Sequence, residues 1–307
     1  MLRIEMLPAA HGDCLWIEYG SGTTVHRILI DGGPAHTYPA LRERILHLPA
    51  SERRFDLLVI THVDADHIEG VIRLLMDAEA LDCRFDRIWF NGRDQLNAVP
   101  DPAGRPLGDV LGAEDDDALI AAGERRYELP ADDDSDLGTG LADTLGRGSG
   151  EAGADAPFGG DASAANGSSI AVLLEYPAAA PKVRLLLAGD AWPGVLENSI
   201  ATLLGDPGKR LALDAFKLPH HGSVANLSAS LLEHLRCSHY LVSTSGALFR
   251  HPHKRALDLI LEHHAGPGRP TLHFNYLTRC TAPWSEQADQ KSRGYHARHP
   301  TGTSLAF

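Results

Sequence analysis

The sequence has little cysteine and no long hydrophobic run. Its four cysteines, Cys14, Cys83, Cys237 and Cys280, lie far apart and form no Cys-x-x-Cys pair. That argues against a zinc ribbon and against a disulfide scaffold, and it favours a reducing compartment, the cytoplasm. No apolar stretch reaches about 18 residues, so the sequence predicts no membrane span and no membrane partner. Residues 1–5 are too acidic and too poor in apolar side chains for a signal peptide.

Two motifs of enzyme chemistry are also missing. The chain contains no Gly-x-Ser-x-Gly elbow and no Gly-x-x-x-x-Gly-Lys phosphate loop. Serine acyl-enzyme chemistry and nucleoside triphosphatase activity therefore lack support. What is present is ordinary for a globular protein with a sizeable core, since 43% of the 307 residues are apolar and 22% are charged.

The negative charge is concentrated in one segment. The formal net charge is −13, but residues 101–161 hold 16 acidic residues and only 4 arginines. The remaining chain is almost balanced and contains all 17 histidines. The net charge therefore does not exclude a nucleic-acid substrate, although the sequence shows no basic groove in favour of one.

The pattern of apolar residues predicts two blocks of strands and helices separated by an insertion at about 93–168 in a single domain, 1–307. Two α/β halves packed through their sheets are the expected arrangement. The insertion is rich in Gly, Ala and Asp and is expected to be mobile apart from a short helix at 118–126. The predicted strands are 2–7, 14–19, 25–31, 56–61, 87–90, 169–176, 183–188, 215–218, 240–243 and 271–275. The predicted helices are 38–48, 68–80, 194–204, 227–235 and 255–264, with an irregular tail after them.

The strongest chemical signal is the run His62-Val63-Asp64-Ala65-Asp66-His67, which follows a predicted strand directly. A turn at the end of a strand can point several ligands into one cleft, so this run predicts a metal site. The alternative is a solvated turn in which the aspartates cap the next helix. Four metal-capable side chains within six residues favour the metal site.

Three other predicted strand ends or helix starts carry side chains of the same kind. Asp190 follows an apolar strand, where it could bridge two metals or cap the next helix. His220 and His221 follow another strand, and at least one of them could instead be structural. His251 precedes the last predicted helix, where helix capping or a surface role is as plausible as a role in the site.

The order of these motifs resembles the metallo-β-lactamase superfamily, and most closely its branch typified by the nuclease domain of the ComEC-type DNA-uptake competence protein. The resemblance covers most of the chain outside the acidic insertion. It rests on segments 11–13, 30–33, 62–67, 166–169, 188–190, 220–223 and 251–252 taken together. It implies an α/β (α+β) fold, a four-layer αβ/βα sandwich with a metal centre at one edge of the sheets.

The resemblance also implies a ligand set. One site would consist of Asp66, His67, Asp190 as the bridge, and either His220 or His221. The other would consist of His62, Asp64 and Asp190. Asp64 stands where the family pattern has a second histidine, and Asn166 stands in place of an intermediate histidine. This second site is oxygen-rich, which favours Mn²⁺ or Mg²⁺ over Zn²⁺ there. For the centre as a whole, the expected cofactors are one or two divalent ions, Zn²⁺ or Mn²⁺, with Mg²⁺ as an alternative.

The expected function is that of a metal-dependent hydrolase, a phosphodiesterase or nuclease that uses a metal-activated water. Asp66 would orient that water, and His220 or His221, together with His251, would contact the scissile group. Asp13, Asp31, Asn166 and Ser223 are expected to surround and orient the ligands. Ser223 and Lys217 could also hold a phosphate, but Lys217 is expected to extend along the surface.

Two alternatives stay open at this point. The first is a hydrolase of another ester, an amide or a cyclic nucleotide in the same fold. The second is a non-catalytic metal-binding protein whose acidic insertion binds a basic protein partner.

Overall fold

Two six-stranded sheets form the centre of the molecule. The computed structural model describes residues 1–21, 24–91, 161, 163–177, 182–206, 208–300 and 304–307. The strands within these ranges are β1 (Leu2–Met6), β2 (Leu15–Tyr19), β3 (His26–Ile30), β4 (Arg54–Phe55), β5 (Leu57–Ile60), β6 (Arg84–Phe85), β7 (Ile88–Phe90), β8 (Val172–Tyr176), β9 (Val183–Leu187), β10 (Leu211–Lys217), β11 (Leu235–Val242), β12 (Thr271–Phe274), β13 (His296–Arg298) and β14 (Ser304–Ala306). The helices are α1 (Tyr38–Leu46), α2 (Ala65–Asp77), α3 (Ala164–Gly167), α4 (Pro193–Leu204), α5 (Ala229–Glu233), α6 (Lys254–His263) and α7 (Gln287–Arg293).

Each sheet combines antiparallel and parallel strands. The first sheet has the order β14-β1-β2-β3-β5-β7, and its last three strands run parallel. The second has the order β13-β12-β11-β10-β9-β8, in which β8 and β9 form an antiparallel pair and the other neighbours are parallel. Parallel neighbours need crossover connections, and the helices between them supply these. A separate pair of short strands, β4 and β6, is also parallel.

Alternation along the strands places each sheet between two apolar layers. In β5, Val59 belongs to the core between the sheets, whereas Leu58 and Ile60 pack with α1 and α2. In β10, Ala215 faces the other sheet, and Phe216 packs with α4, α5 and α6. Because side chains alternate along a strand, the sheets pack face to face and carry their helices on the outer faces. The expected mixed α/β class is confirmed.

The carboxyl ends of the parallel strands are where the predicted motifs lie. Residues 61–67 follow β5, residues 188–190 follow β9, and residues 218–223 follow β10. Ligands of open α/β sheets bind outside the carboxyl ends of the strands. The face-to-face packing of the two sheets brings the ends from both sheets to one edge.

The sequence predictions hold best in the first half of the chain. Strands β1, β2, β3 and β5 lie within a residue or two of their predicted bounds. Helix α2 begins at Ala65 and not at the predicted residue 68, because Asp64 has an extended backbone and takes the N-cap position. Asp66 and His67 therefore belong to the first helical turn and not to a loop.

In the second half, three predictions of extent and one of character are wrong. Strands β10 and β11 begin at Leu211 and Leu235, earlier than predicted, and helix α5 ends at Glu233. The polar residues near the start of β11 alternate with buried ones, so the segment lacks an apolar run. The tail is not irregular, because α7, β13 and β14 extend the two sheets and their covering helices.

Most of the predicted insertion, residues 92–160 and 162, lies outside the described residues, and so does the short helix expected at 118–126. Its predicted end at 168 is too late. Helix α3 occupies 164–167, and Ser163 caps it by accepting a hydrogen bond from the Asn166 amide at 3.4 Å. Asn166 and Gly167 are buried, so this stretch belongs to the folded body.

Two further expectations concern cysteines and membranes. All four cysteines have free thiols, and Cys14, Cys83 and Cys237 are buried. Among the helices of the described ranges, none has the length and apolar character that crossing a bilayer requires.

The core between the sheets provides a test of the fold. Leu241 is fully buried there, so Leu241→Ala should lower the free energy of unfolding by about 2–5 kcal/mol through lost burial and a residual cavity. Leu277→Ala removes the same atoms from a side chain that is 63% exposed and should change it by about 0.5 kcal/mol or less. Urea denaturation followed by circular dichroism measures both. Equal effects of the two substitutions would contradict the face-to-face packing.

Candidate metal centre

Four histidine rings converge on one carboxylate. Asp190 follows β9 and is only 2% exposed. Its Oδ2 lies within 4 Å of the Nε2 atom of four imidazoles: His67 at 3.4 Å, His221 at 3.6 Å, His220 at 3.8 Å and His62 at 3.9 Å. These residues come from the ends of β5, β9 and β10, as the sequence predicts.

Each ring is held by its other nitrogen. The acceptors at Nδ1 are a carboxylate, a backbone carbonyl, a hydroxyl and an amide oxygen: Asp31 Oδ2 for His67 (2.8 Å), Ser243 O for His221 (2.9 Å), Thr61 Oγ1 for His62 (2.9 Å) and Asn226 Oδ1 for His220 (2.9 Å). The Thr61 hydroxyl donates to Asp31, so it accepts from His62. These acceptors require a proton on Nδ1, which leaves the Nε2 lone pairs of neutral rings directed at Asp190.

Among the residues that the structure describes, several atoms at the centre of this cluster find no hydrogen-bond partner. His62, His67 and His221 are each about 1% exposed or less, and their Nε2 atoms, together with Asp190 Oδ1, are buried and unsatisfied. Buried polar atoms are almost always satisfied, so several orphans facing one point indicate a missing partner. Imidazole nitrogens and carboxylate oxygens are the ligands that Zn²⁺ and Mn²⁺ take, and the residues present therefore fit a divalent metal ion.

Four overlapping groups of possible ligands occur in the cluster, and two of them are free of Asp13, which pairs with Lys217. One consists of His62, His67 and Asp190, and the other of Asp66, His67 and His221, with the ligand atoms of each group within 4.8 Å of one another. The resemblance assigns His67 to the second group alone, whereas the structure places it beside both. Asp64 lies at the rim, where its Oδ2 is 3.5 Å from His62 Nε2 and its side chain is 43% exposed.

The turn after β10 explains why two adjacent histidines both face the centre. His220 and His221 have φ values of 45° and 56°, in the left-handed region. Left-handed residues other than glycine are strained and persist where packing holds them. His221 is the more deeply placed of the two, at 1% exposure against 27% for the His220 side chain, and its Nε2 also lies 3.5 Å from Asp66 Oδ2.

Opposite charges in the cluster shift one another's pKa values. Burial would raise the pKa of Asp66, but positive charge on His67 and on His221, whose Nε2 lies 3.5 Å from Asp66 Oδ2, outweighs it and holds that pKa at about 2. Burial would lower the pKa of His221, but the carboxylates of Asp190 and Asp13 raise it to about 9. Without a metal, Asp66 and Asp190 are thus ionised, and the His67 and His221 rings hold additional protons. A divalent cation would replace those protons, since ligands bind metals in the deprotonated form.

Asp31 is positioned by a close approach of two backbones. It ends β3 with a φ of 58°, and its carboxylate also accepts hydrogen bonds from the Thr61 amide (2.8 Å) and hydroxyl (2.7 Å). The following turn lies against α2, where the Gly70 amide donates to Gly33 O at 2.7 Å. A Cβ on Gly70 would sit 2.0 Å from Gly32 O, so only glycine permits this contact. Asp31 orients His67, as expected.

The prediction for Lys217 is wrong. Its side chain is fully buried, and its ammonium forms an ion pair with Asp13, whose Oδ1 lies 3.5 Å from His221 Nδ1. The inner position follows from alternation along β10, which turns Lys217 towards the interior at the strand's end. Lys217 therefore neutralises Asp13 beneath the cluster, and Asp13 supports His221.

Sequence reasoning missed Asp161 and Asn226. Asp161 Oδ2 accepts hydrogen bonds from the side-chain amides of Asn226 (2.6 Å) and Asn166 (2.7 Å), and it lies 3.4 Å from His220 Nδ1. Asn226 is fully buried and also donates to Asp190 O at 3.1 Å. Because Asp161 is the last acid of the acidic segment 101–161, the sequence does not indicate that it lies beside the other residues of the site.

The remaining predicted residues lie around the cluster. Asn166 is buried and its Oδ1 has no partner. Ser223 accepts a hydrogen bond from the Ala225 amide at 3.3 Å, so it shapes the turn after the histidine pair. The ring of His251 lies 5.3 Å from that of His220 and 6.4 Å from that of His221. Burial and the neighbouring histidines lower the pKa of His251 to about 2, so its imidazole is neutral near pH 7.

Known proteins provide no further guide to this site. Comparison of the chain with models of protein families, with curated proteins and with solved structures finds no match.

The contact between Asp31 and His67 predicts an effect on metal affinity. Asp31→Asn replaces the acceptor that fixes His67 and should weaken Zn²⁺ or Mn²⁺ binding by about 10–100-fold, as loss of such supporting carboxylates does elsewhere. Asp56→Asn is the matched control, since Asp56 also accepts from a histidine, His26, at 2.8 Å but outside the cluster. Competition with a chromophoric chelator measures both. Equal affinities of the two variants would contradict the role of Asp31.

The buried ion pair predicts an effect on stability. Lys217→Met leaves the Asp13 carboxylate buried without its partner and should lower the free energy of unfolding by about 3–5 kcal/mol. The double variant Asp13→Asn/Lys217→Met removes both charges and should be more stable than Lys217→Met alone. Urea denaturation of the metal-free variants provides the comparison. A double variant that is less stable than the single one would show that the pair is not coupled.

Proposed function

We propose that the protein is a metal-dependent hydrolase of phosphodiesters, a phosphodiesterase or nuclease with one or two divalent ions. The observation that carries the proposal is the convergence of four imidazole Nε2 atoms on the Asp190 carboxylate, with the inner ligand atoms unsatisfied. A purely structural cluster would pair its buried polar atoms with one another. This cluster directs them at a common point at the edge of two sheets.

The fold supports the same assignment. We interpret the two face-to-face sheets with helices on their outer faces as the αβ/βα sandwich of the metallo-β-lactamase superfamily. The segments that carry the resemblance, including His11-Gly12-Asp13, the 62–67 run and His220-His221-Gly222-Ser223, all adjoin the cluster. The likeness of these segments to the competence-type nuclease branch favours phosphodiesters over other substrates.

The position of each residue in the cluster indicates its role. Asp190 is central, and together with His62, His67 and His221 it would hold one or two divalent ions. A bound divalent ion supplies Lewis acidity and lowers the pKa of a coordinated water near neutral pH. Asp66 is the carboxylate at the open side of the cluster, with 17% of its side chain exposed, and it is placed to orient the attacking water and accept its proton.

His220 and His251 lie on the substrate side. The His220 side chain is 27% exposed, and its ring is fixed by Asn226 at 2.9 Å and lies 3.4 Å from Asp161. The neutral ring of His251 packs edge-on against it. These two imidazoles would contact the phosphoryl oxygens or the leaving group, and their fixed orientation provides preorganised electrostatic stabilisation.

Activity on a generic phosphodiester tests the proposal. Protein loaded with Zn²⁺ or Mn²⁺ should hydrolyse bis(p-nitrophenyl) phosphate, and removal of the metal with a chelator should abolish the activity. Asp66→Asn should lower kcat by about 10²–10⁴-fold, the usual contribution of a general base. Asp56→Asn should leave it unchanged.

Other outcomes would identify the alternatives. Hydrolysis of carboxylic esters or amides without hydrolysis of phosphodiesters would contradict the proposed substrate and favour a different hydrolase in this fold. Tight metal binding with no hydrolysis of any of these compounds would favour a non-catalytic metal protein.

A further inference from the structure

A cavity of about 320 Å³ is lined by Pro252, the residue that follows His251. It is bounded by the loop that carries His251 and by the tail segment around Trp284 and α7. Four of its lining residues are basic and one is acidic: Arg250, Lys254, Arg279 and Arg293 against Asp289. A concave surface with this excess of cations attracts anions such as phosphate.

Two of the four cations pair with no carboxylate of the described ranges. Lys254 pairs with Asp258 at 2.7 Å, and Arg293 pairs with Asp258 at 2.5 Å and with Asp289 at 3.6 Å. Arg250 and Arg279 are exposed, and the described part of the chain places no carboxylate within ion-pair distance of either. Their guanidinium groups are therefore available to an incoming anion, for which arginine offers a bidentate fork of donors.

The cavity wall packs on the turn that carries the histidine pair. Pro252 lines the cavity and directly follows His251, whose ring contacts that of His220. The His253 amide donates to Gly222 O at 3.0 Å, so the two segments are hydrogen-bonded side by side. A group bound in the cavity would thus lie next to a group bound at the metals.

An exposed aromatic residue directly precedes Arg250 in the chain. Phe249 is 52% exposed, and its ring centroid lies 6.0 Å from that of His251 and 5.8 Å from that of His11. Arg250, the next residue, has a φ of 59°, a strained value for a residue other than glycine. Strain of this kind clusters where a loop must hold a functional side chain in one direction. An exposed ring beside uncompensated cations is the combination that binds single-stranded nucleic acid.

We propose that Phe249, Arg250 and Arg279 form a subsite for one nucleotide of a single-stranded nucleic acid, next to the phosphodiester at the metals. Phe249 stacks on an unpaired base, and the two arginines bind the phosphate adjacent to the scissile one. The proposal rests on the proposed phosphodiester hydrolysis for the role of the subsite in catalysis, but the binding itself does not require hydrolysis. A duplex would not present an unpaired base to Phe249.

Binding to the full-length protein in the presence of a chelator tests the subsite without hydrolysis. The probe is a fluorescein-labelled twelve-residue oligothymidylate, and the readout is fluorescence anisotropy over a range of salt concentrations. Arg250→Gln, Arg279→Gln and Phe249→Ala should each raise Kd by about 10-fold or more. Because the two arginines bind the same phosphate, the double variant Arg250→Gln/Arg279→Gln should also reduce the slope of log K against log salt by about 0.7, the value for one phosphate contact on a single strand.

Two substitutions serve as controls. Arg250→Lys keeps the charge and the non-glycine backbone, so it should retain the salt slope. Arg236→Gln removes an exposed arginine at the start of β11, at the opposite end of that strand from the metal centre, and should leave Kd unchanged.

Kinetics with metal-loaded protein separate the two proposals. The subsite variants should raise KM for the oligonucleotide while bis(p-nitrophenyl) phosphate, which is too small to reach the cavity, is hydrolysed at the normal rate. Oligonucleotide binding that depends on these residues without hydrolysis of either compound would support the subsite and overturn the phosphodiesterase. Hydrolysis of the small diester with oligonucleotide Kd and KM the same in Arg250→Gln, Arg279→Gln, Phe249→Ala and Arg236→Gln would overturn the subsite alone. Equal binding of a duplex would also overturn it.

Discussion

The buried carboxylate of Asp190 is the constraint on which the site depends. A charge at 2% exposure must be compensated, and four imidazoles supply that compensation from two different sheets. Its backbone is fixed as well, since the Asp190 amide donates to Ser169 Oγ at 3.0 Å and its carbonyl accepts from Asn226. Because the rings come from β5 and β10 and the carboxylate from β9, the cluster forms only when both sheets are packed together. The same packing of the two sheets therefore forms both the fold and the site.

The turns that shape the cluster have strained backbone conformations. Asp31, His220 and His221 all adopt positive φ values, and each directs a side chain that ordinary turns would direct elsewhere. Beneath them, the buried ion pair of Lys217 with Asp13 places a positive charge among carboxylates. Strained turns and a desolvated ion pair are weak contributors to stability. Their concentration at one edge of the sheets indicates that this edge is organised for binding, whereas the apolar layers hold the fold.

Much of this could be predicted from the sequence, and the failures have physical causes. The sequence indicates the ligands of the continuous run 62–67, because a strand, a turn and a helix fix their relative positions. Apolar periodicity located most strands, but it missed β13, β14 and the polar start of β11, whose places depend on partner strands. Lys217 was assigned to the surface because its charge outweighed its strand position. Asp161 and Asn226 meet only in three dimensions, across 65 residues of chain.

The cationic surface around the cavity is the clearest example of a feature that the sequence does not predict. The chain carries −13 overall, and the sequence shows no basic stretch. Folding nevertheless brings Arg250, Lys254, Arg279 and Arg293 around one cavity, from positions spread over two loops and two helices. Local potential depends on which charges are neighbours and which are neutralised, and a sum over the chain records neither. An acidic protein can therefore present a cationic surface, and the potential at that surface must be judged from the residues that form it.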